Sequence, residues 1–226
     1  MTNKVKIAIF SVMIGAGVIG LFWGPLFAGL PGGDENIIPR EASRWHIGKG
    51  AEYDPTMYYT INTPTMKFST KIEFLSDQSV QQIRVELPSQ SGTQITQTVP
   101  LSSAYTFGEV SDDARPYFTT LDQTIFSIRD IALEDRYLVK QAVWGTMFIG
   151  AMTQEITVTE HAQTSFGFGS VNAFTVSYYI GDKQSKFWIV DNLPLPVKAE
   201  VYDIDGNLQY SYELTSLVAP STPGFG

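Results

Sequence analysis

The sequence predicts a mainly β fold of the α+β class: one N-terminal transmembrane helix, then an antiparallel sheet accompanied by about one helix. Three observations predict it. Residues 7–30 carry no charge, apolar residues beyond residue 65 recur at every second position, and one stretch, 114–129, switches to helical spacing.

The first element is the run from Ile7 to Leu30, with Lys4 and Lys6 just before it and Asp34 and Glu35 just after. A helix of that length rises about 36 Å, enough to cross a hydrocarbon core of about 30 Å with some tilt. The basic flank is the N-terminal one, so the positive-inside tendency keeps the N-terminus in the cytoplasm and places the rest outside the cell membrane. A cleaved signal peptide is the rival. Its apolar region spans about 7 to 15 residues and ends in an A-x-A-like site, whereas here the run is longer and no small-x-small window from Leu26 to Gly33 fits. An uncleaved anchor is therefore expected. Ala16, Gly20, Gly24 and Ala28 recur every four residues and form a strip along which the backbone of a partner membrane helix can approach closely, with Pro25 kinking it.

Residues 1–30 are thus the cytoplasmic stub and anchor, 31–44 a Pro- and Gly-containing linker, 45–217 an extracytoplasmic β domain and 218–226 a frayed tail. Trp45 and Tyr53, just past the linker, either pack at the start of the sheet or touch the membrane surface. In Met66 to Phe74 the residues Met66, Phe68, Thr70, Ile72 and Phe74 face one way and Lys67, Ser69, Lys71 and Glu73 the other, which is a strand with one wet face. Ile83, Val85 and Leu87 repeat the pattern, as do Ile95, Val99 and Leu101 after a turn at Ser89 to Gly92; short turns join antiparallel neighbours. Next, Ser111, Asp112 and Asp113 can cap a helix from about Ala114 to Arg129, with Pro116 in its first turn and Phe118, Leu121, Ile125 and Ile128 on one side. Further strands are expected at 154–160, 171–180, 186–190, 197–202 and 208–214, the last two joined through Asp205-Gly206.

Composition restricts function. The part beyond the anchor carries about −10, so it lacks the basic face that nucleic acid requires. Roughly 195 residues suffice to bury a core, and without cysteine there is neither a disulfide nor a thiolate site. His46 and His161 are the sole histidines and stand far apart; a site shared with Asp54 or Glu160 is the remaining metal option, and a lone surface histidine is the commoner case. Asp203, Asp205 and Asn207 hint at calcium, yet no glutamate closes the loop and the flanks read as strands. Asp112/Asp113 and Glu134/Asp135 read as caps and solvated charges. No catalytic, cofactor-binding or metal site is expected, and the chain reads as no enzyme.

The order of the C-terminal third, from Gln154 to Leu214, resembles the closing strands of LolA-like half-barrel envelope proteins. A strand leads through the corner Phe166-Gly167-Phe168-Gly169 to a second, then to a strand with Trp188, an edge Leu193-Pro194-Leu195-Pro196-Val197-Lys198 and a hairpin ending Tyr212-Glu213-Leu214. It is more similar still to anchored exported β-domain proteins of ammonia-oxidising archaea, through Ile189-Val190-Asp191 followed by Pro196-Val197-Lys198-Ala199. The resemblance implies a sheet bent into a half-barrel around the helix and brings no catalytic motif. In such a sheet Phe68, Ile72, Phe74, Ile83, Val85, Val176, Tyr178 and Trp188 approach the interior, either as core or as an apolar ligand face. Two functions are expected from this: an accessory or interaction module of an envelope membrane complex, or a tethered half-barrel that binds lipid or another apolar ligand.

Overall fold

Strict alternation over long runs, separated by tight turns, leaves these residues no regular structure other than an antiparallel sheet. The computed structural model describes residues 42–77, 80–88, 94–149 and 152–218. The strands are β1 (Arg44–Trp45), β2 (Thr56–Asn62), β3 (Lys67–Asp77), β4 (Val80–Leu87), β5 (Ile95–Pro100), β6 (Arg136–Tyr137), β7 (Val143–Ile149), β8 (Met152–Phe166), β9 (Gly169–Ile180), β10 (Lys183–Ile189), β11 (Lys198–Tyr202) and β12 (Leu208–Val218). β1 pairs with β6, and the other ten form one antiparallel sheet in the order β5-β4-β3-β2-β12-β11-β10-β9-β8-β7.

The registers bring the apolar sets together. Ile61 lies opposite Phe68, Ile72 opposite Val85 and Phe74 opposite Ile83, while Val176 lies between Val158 and Phe187. Register shifts fall at Val143/Gly145, Val158/Glu160, Val201/Tyr202 and Leu214/Ser216. Each extra residue bends its strand and increases the local twist. The helical segment supplies Phe118, Leu121, Ile125, Phe126 and Ile128 to the same core, with Phe107 edge-on to both Phe118 and Phe126. A large antiparallel sheet with a helix against its apolar face is consistent with the half-barrel.

The helix is shorter than its spacing predicts. It runs from Arg115 to Gln123 (α1), gives way to a 3₁₀ turn at Ile125–Ile128, and resumes as the single turn Arg129–Ala132 (α2). The break sits at Thr124, whose Oγ1 donates to the Thr120 carbonyl, while Ser127 Oγ donates to the carbonyl of Thr124. Hydroxyls that bond to the preceding turn compete with the helical ladder. Strands β1, β2, β6 and β7 were not expected. In β2 the tyrosine pair Tyr58-Tyr59 blurs an alternation that buries Met57, Tyr59 and Ile61. The β8–β9 corner is a two-residue turn pairing Phe166 with Gly169, and the Phe166 and Phe168 rings stack at 5.6 Å.

The expected anchor and its strip Ala16, Gly20, Gly24 and Ala28 lie outside the described residues, as do the turn at Ser89–Gly92 and residues 219–226. Among the described residues no helix is long and apolar enough to cross a membrane.

Candidate interaction surface

The interior is packed with side chains. Phe68, Ile72, Phe74, Ile83, Val85, Val176 and Tyr178 are all buried in the core cluster. Phe68 lies edge-on to Tyr117 at 5.1 Å, and Tyr178 is 6.5 Å from Phe187. Trp188 occupies the other face of β10: it is half-buried, between buried Phe187 and Ile189, and the Lys198 ammonium stands 5.3 Å from its ring. Three tyrosines from β2 and β12 add polar atoms to this core. Tyr59 donates to the Pro196 carbonyl at 2.9 Å, and Tyr210 shares a 3.0 Å hydrogen bond with Ser127. Tyr212, stacked on Tyr210 and edge-on to Tyr59, has no partner for its hydroxyl among the described residues. Burial pushes all three phenols above their ordinary range.

The segment from Ser43 to Gly50 is held firmly. Trp45 is fully buried, stacks on Trp144 at 5.9 Å and donates its indole N–H to the Leu193 carbonyl at 2.8 Å. Backbone bonds from Ile47 to Ala132, from Gly48 to Pro194 and from Leu138 to Ser43 fix the segment on both sides. Gly50, with φ +84, passes so close to Asn192 that a Cβ there would stand 2.1 Å from its carbonyl oxygen. Of Trp45 and Tyr53, Trp45 therefore packs inside and Tyr53 stays partly exposed at 38%.

Beside this segment lies an apolar surface that sequence reasoning missed. Ten large apolar side chains are exposed among the described residues, and five of them, Leu133, Tyr137, Val139, Val143 and Phe148, fall between residues 133 and 148. Half of the exposed large apolar side chains among the described residues thus fall in one short stretch of chain. Tyr137 pairs with Arg44, whose guanidinium stands 4.8 Å from its ring. Leu138 turns inward, so Tyr137 and Val139 point out together, and a turn closed from Ala142 to Val139 delivers the chain to Val143. The bulge there turns Trp144 into the core, where its indole N–H donates to the Tyr137 carbonyl at 3.0 Å. Phe148, 80% exposed, ends the row. The neutral run Val-Trp-Gly-Thr-Met-Phe-Ile was a signal for a strand, but nothing in it tells an edge from a centre.

The candidate chemical groups serve local structure. His46 Nδ1 bonds Asp135 at 2.9 Å, and His161 stacks on Phe174 at 3.9 Å, far from it along the chain. Asp203 accepts from the backbone N–H groups of Asp205 and Asn207, holding the β11–β12 turn with Gly206 at φ +79. Asp112 pairs with Arg115, and Asp113 accepts from Ser111, the latter bond lowering its pKa. Among the described residues no three metal-ligating side chains gather. On the outer face of β3 and β4, Lys71 bridges Glu73 at 2.7 Å and Glu86 at 2.8 Å, and Arg84 reaches Glu73 at 3.1 Å. The Lys71 ammonium holds the Glu73 carboxyl below its ordinary value. A polar groove of about 620 Å³ opens beside α1, lined by Thr63, Thr120, Gln123, Ser127, Arg129 and Tyr210. Arg129 is already held in a two-point pair with Asp122, and the Thr120 and Ser127 hydroxyls donate to backbone carbonyls.

No protein-family model and no curated protein matches the chain. Among solved structures it is similar to MucB, at 8% identity and a TM-score of 0.48 over 79% of this chain and 57% of that one. It is similar also to MucB in complex with MucA(peri), at 9% identity and a TM-score of 0.44 over 79% and 56%. A third is an exported protein with YmcC-like fold from Bacteroides fragilis, at 12% identity and a TM-score of 0.34 over 78% and 99%. The chain thus spans a little over half the length of the MucB structures.

Proposed function

We propose that the chain is a non-enzymatic, single-pass protein of the cell membrane, N-terminus cytoplasmic, whose extracytoplasmic β domain is an accessory or interaction module of an envelope membrane complex. The observation that carries this reading is the apolar patch from Leu133 to Phe148, set beside the firmly held segment that leads in from the linker. Exposed apolar side chains gathered in one part of a folded domain are the mark of a surface that another molecule covers. The small-residue strip Ala16, Gly20, Gly24 and Ala28 gives a membrane-protein partner a second place to engage. The competing reading, a tethered half-barrel that binds a lipid, needs an apolar interior left open. Seven of its eight candidate lining residues pack in the core instead.

The test is native mass spectrometry of the full-length protein extracted from its own membranes in a mild detergent. The expected result is added mass of several kilodaltons, from a bound subunit. Added mass of lipid size that persists after removal of residues 1–35 would overturn the module reading in favour of the ligand-binding one. A bare monomer under several detergents would count against both.

A further inference from the structure

The two edges of the sheet are treated differently. At one end, the segment after β5 closes the edge: Leu101 bridges Phe107, Gly108 N–H donates to the Pro100 carbonyl, and Gln97 bonds the backbone at Glu109 and Ser111. At the other end, β7 pairs with β8 and, among the described residues, with no other strand. Edge strands are ordinarily protected by charge, proline, shortness, a bulge or a covering segment; the bulge of β7 falls at its start, Val143/Gly145, and leaves Thr146 to Ile149 in regular register with β8. β7 has seven residues, none charged and none proline. Every second residue of an antiparallel strand turns its N–H and C=O away from its one neighbour, and only another extended backbone repeats donors and acceptors at that spacing.

We propose that the outer edge of β7 is a strand-addition site, which takes an extended segment of a partner protein carrying a basic residue between two apolar ones. This rests on the interaction-module reading and specifies how the partner engages. Side chains set the pattern. On the outer face, Val143 and Phe148 are exposed at the two ends of β7 and Thr146 lies between them. Glu155, exposed, stands opposite Thr146 on β8. A residue laid across Thr146 from the added strand is two strand spacings, roughly 9.5 Å, from Glu155, within reach of a lysine side chain. Within the patch segment Glu134 and Asp135 are balanced by Arg136 and Lys140, and Asp135 already pairs with His46, so Glu155 is the charge that selects the added strand. A second copy pairing through its own β7 brings no basic residue to Glu155 and fits this edge less well. Strand addition of this kind takes affinity from the backbone and specificity from alternate side chains.

The experiment is hydrogen–deuterium exchange of the full-length protein in detergent micelles, with the synthetic peptide Thr-Val-Thr-Lys-Thr-Val-Thr as probe. At about 1 mM probe, exchange of the Val143–Ile149 amides is expected to slow by about tenfold while β5 is unchanged. Probes with Glu in place of Lys, or with the backbone N-methylated at alternate residues, are expected to lose most of this protection. The variant F148K, at a side chain 80% exposed, is expected to fold normally and to respond less. Unchanged exchange at Val143–Ile149 with every probe overturns the proposal. So does protection without probe that disappears on dilution, which assigns the edge to a second copy. If a subunit co-purifies while its cross-links map away from β7, the module reading stands and strand addition falls; if no subunit is bound, the module reading fails first.

Discussion

Replacing Tyr212 by phenylalanine is expected to stabilise the domain, contrary to the usual effect of changing a core residue. The Tyr212 hydroxyl is buried in the core, without a hydrogen-bond partner among the described residues. An unsatisfied buried hydroxyl costs about 1–3 kcal/mol of desolvation. Deleting the oxygen leaves a gap of roughly 12 Å³, which at about 24 cal/mol per Å³ costs about 0.3 kcal/mol. The net expectation is a gain of about 1 kcal/mol or more, a rise of about 2–4 °C in Tm for a chain of this size. Tyr59 is the internal comparison. Its hydroxyl donates to the Pro196 carbonyl at 2.9 Å, so Y59F strands a buried acceptor and is expected to lose about 1–2 kcal/mol. Urea titration of the full chain in detergent, followed by tryptophan fluorescence, gives both values, with an unchanged m-value required for the comparison. Loss of more than about 1 kcal/mol in Y212F would refute the reasoning. It would mean that the hydroxyl bonds to a water or ligand inside the domain, and the ligand-binding reading would regain ground.

Three further outcomes follow from the same packing. W45A removes a fully buried ring, its stack on Trp144 and the bond to Leu193; a loss of about 3–5 kcal/mol is expected in the same titration, and a loss below about 1 kcal/mol would show that the segment around Trp45 is not integral. G50A forces a Cβ to 2.1 Å from the Asn192 carbonyl at φ +84, so its urea midpoint should fall well below that of an alanine exchange at an exposed glycine such as Gly181. Acid titration reads the Lys71–Glu73 pair. Because Glu73 titrates below 4.5 when folded, the unfolded chain takes up its proton first, so the pair's contribution is full above 4.5 and is lost as pH falls through the lowered value; E73Q should show a shallower loss of stability between about pH 5 and 3 than the parent, and equal slopes would exclude the pair as a source.

Much of the sheet was legible because period-two patterning is local. Phe68, Ile72 and Phe74, or Ile83 and Val85, declare their common face within a few residues, and the registers observed join those faces. Strand β2 was missed because aromatic residues occupy both of its faces, with Tyr58 beside Tyr59, although Tyr59 sits at the centre of the sheet's core. The helix was placed correctly but drawn too long, since apolar spacing continues through Thr124 whether or not the backbone ladder does.

The surface was a harder problem than the core, and the reason is topological. Trp188 alternates correctly within β10 and still lies outside, because alternation assigns two faces without saying which is the core. The same ambiguity hides β7. A neutral strand with Trp144 on one side and Val143 and Phe148 on the other has the composition of a strand buried on both faces, and such strands belong at the centre of a sheet. It stands at the edge only because the chain reaches β8 from outside and then continues through β9 and β10 toward β12. Composition suited to a central strand, at the end of a sheet whose other edge is closed by Leu101–Ser111, is a mismatch between local and global structure. Mismatches of this kind gather at functional sites, where selection for binding overrides the local rule. A further strand would remove it by making β7 a central strand, which is why the exchange of its amides is the observation on which the proposed strand addition turns.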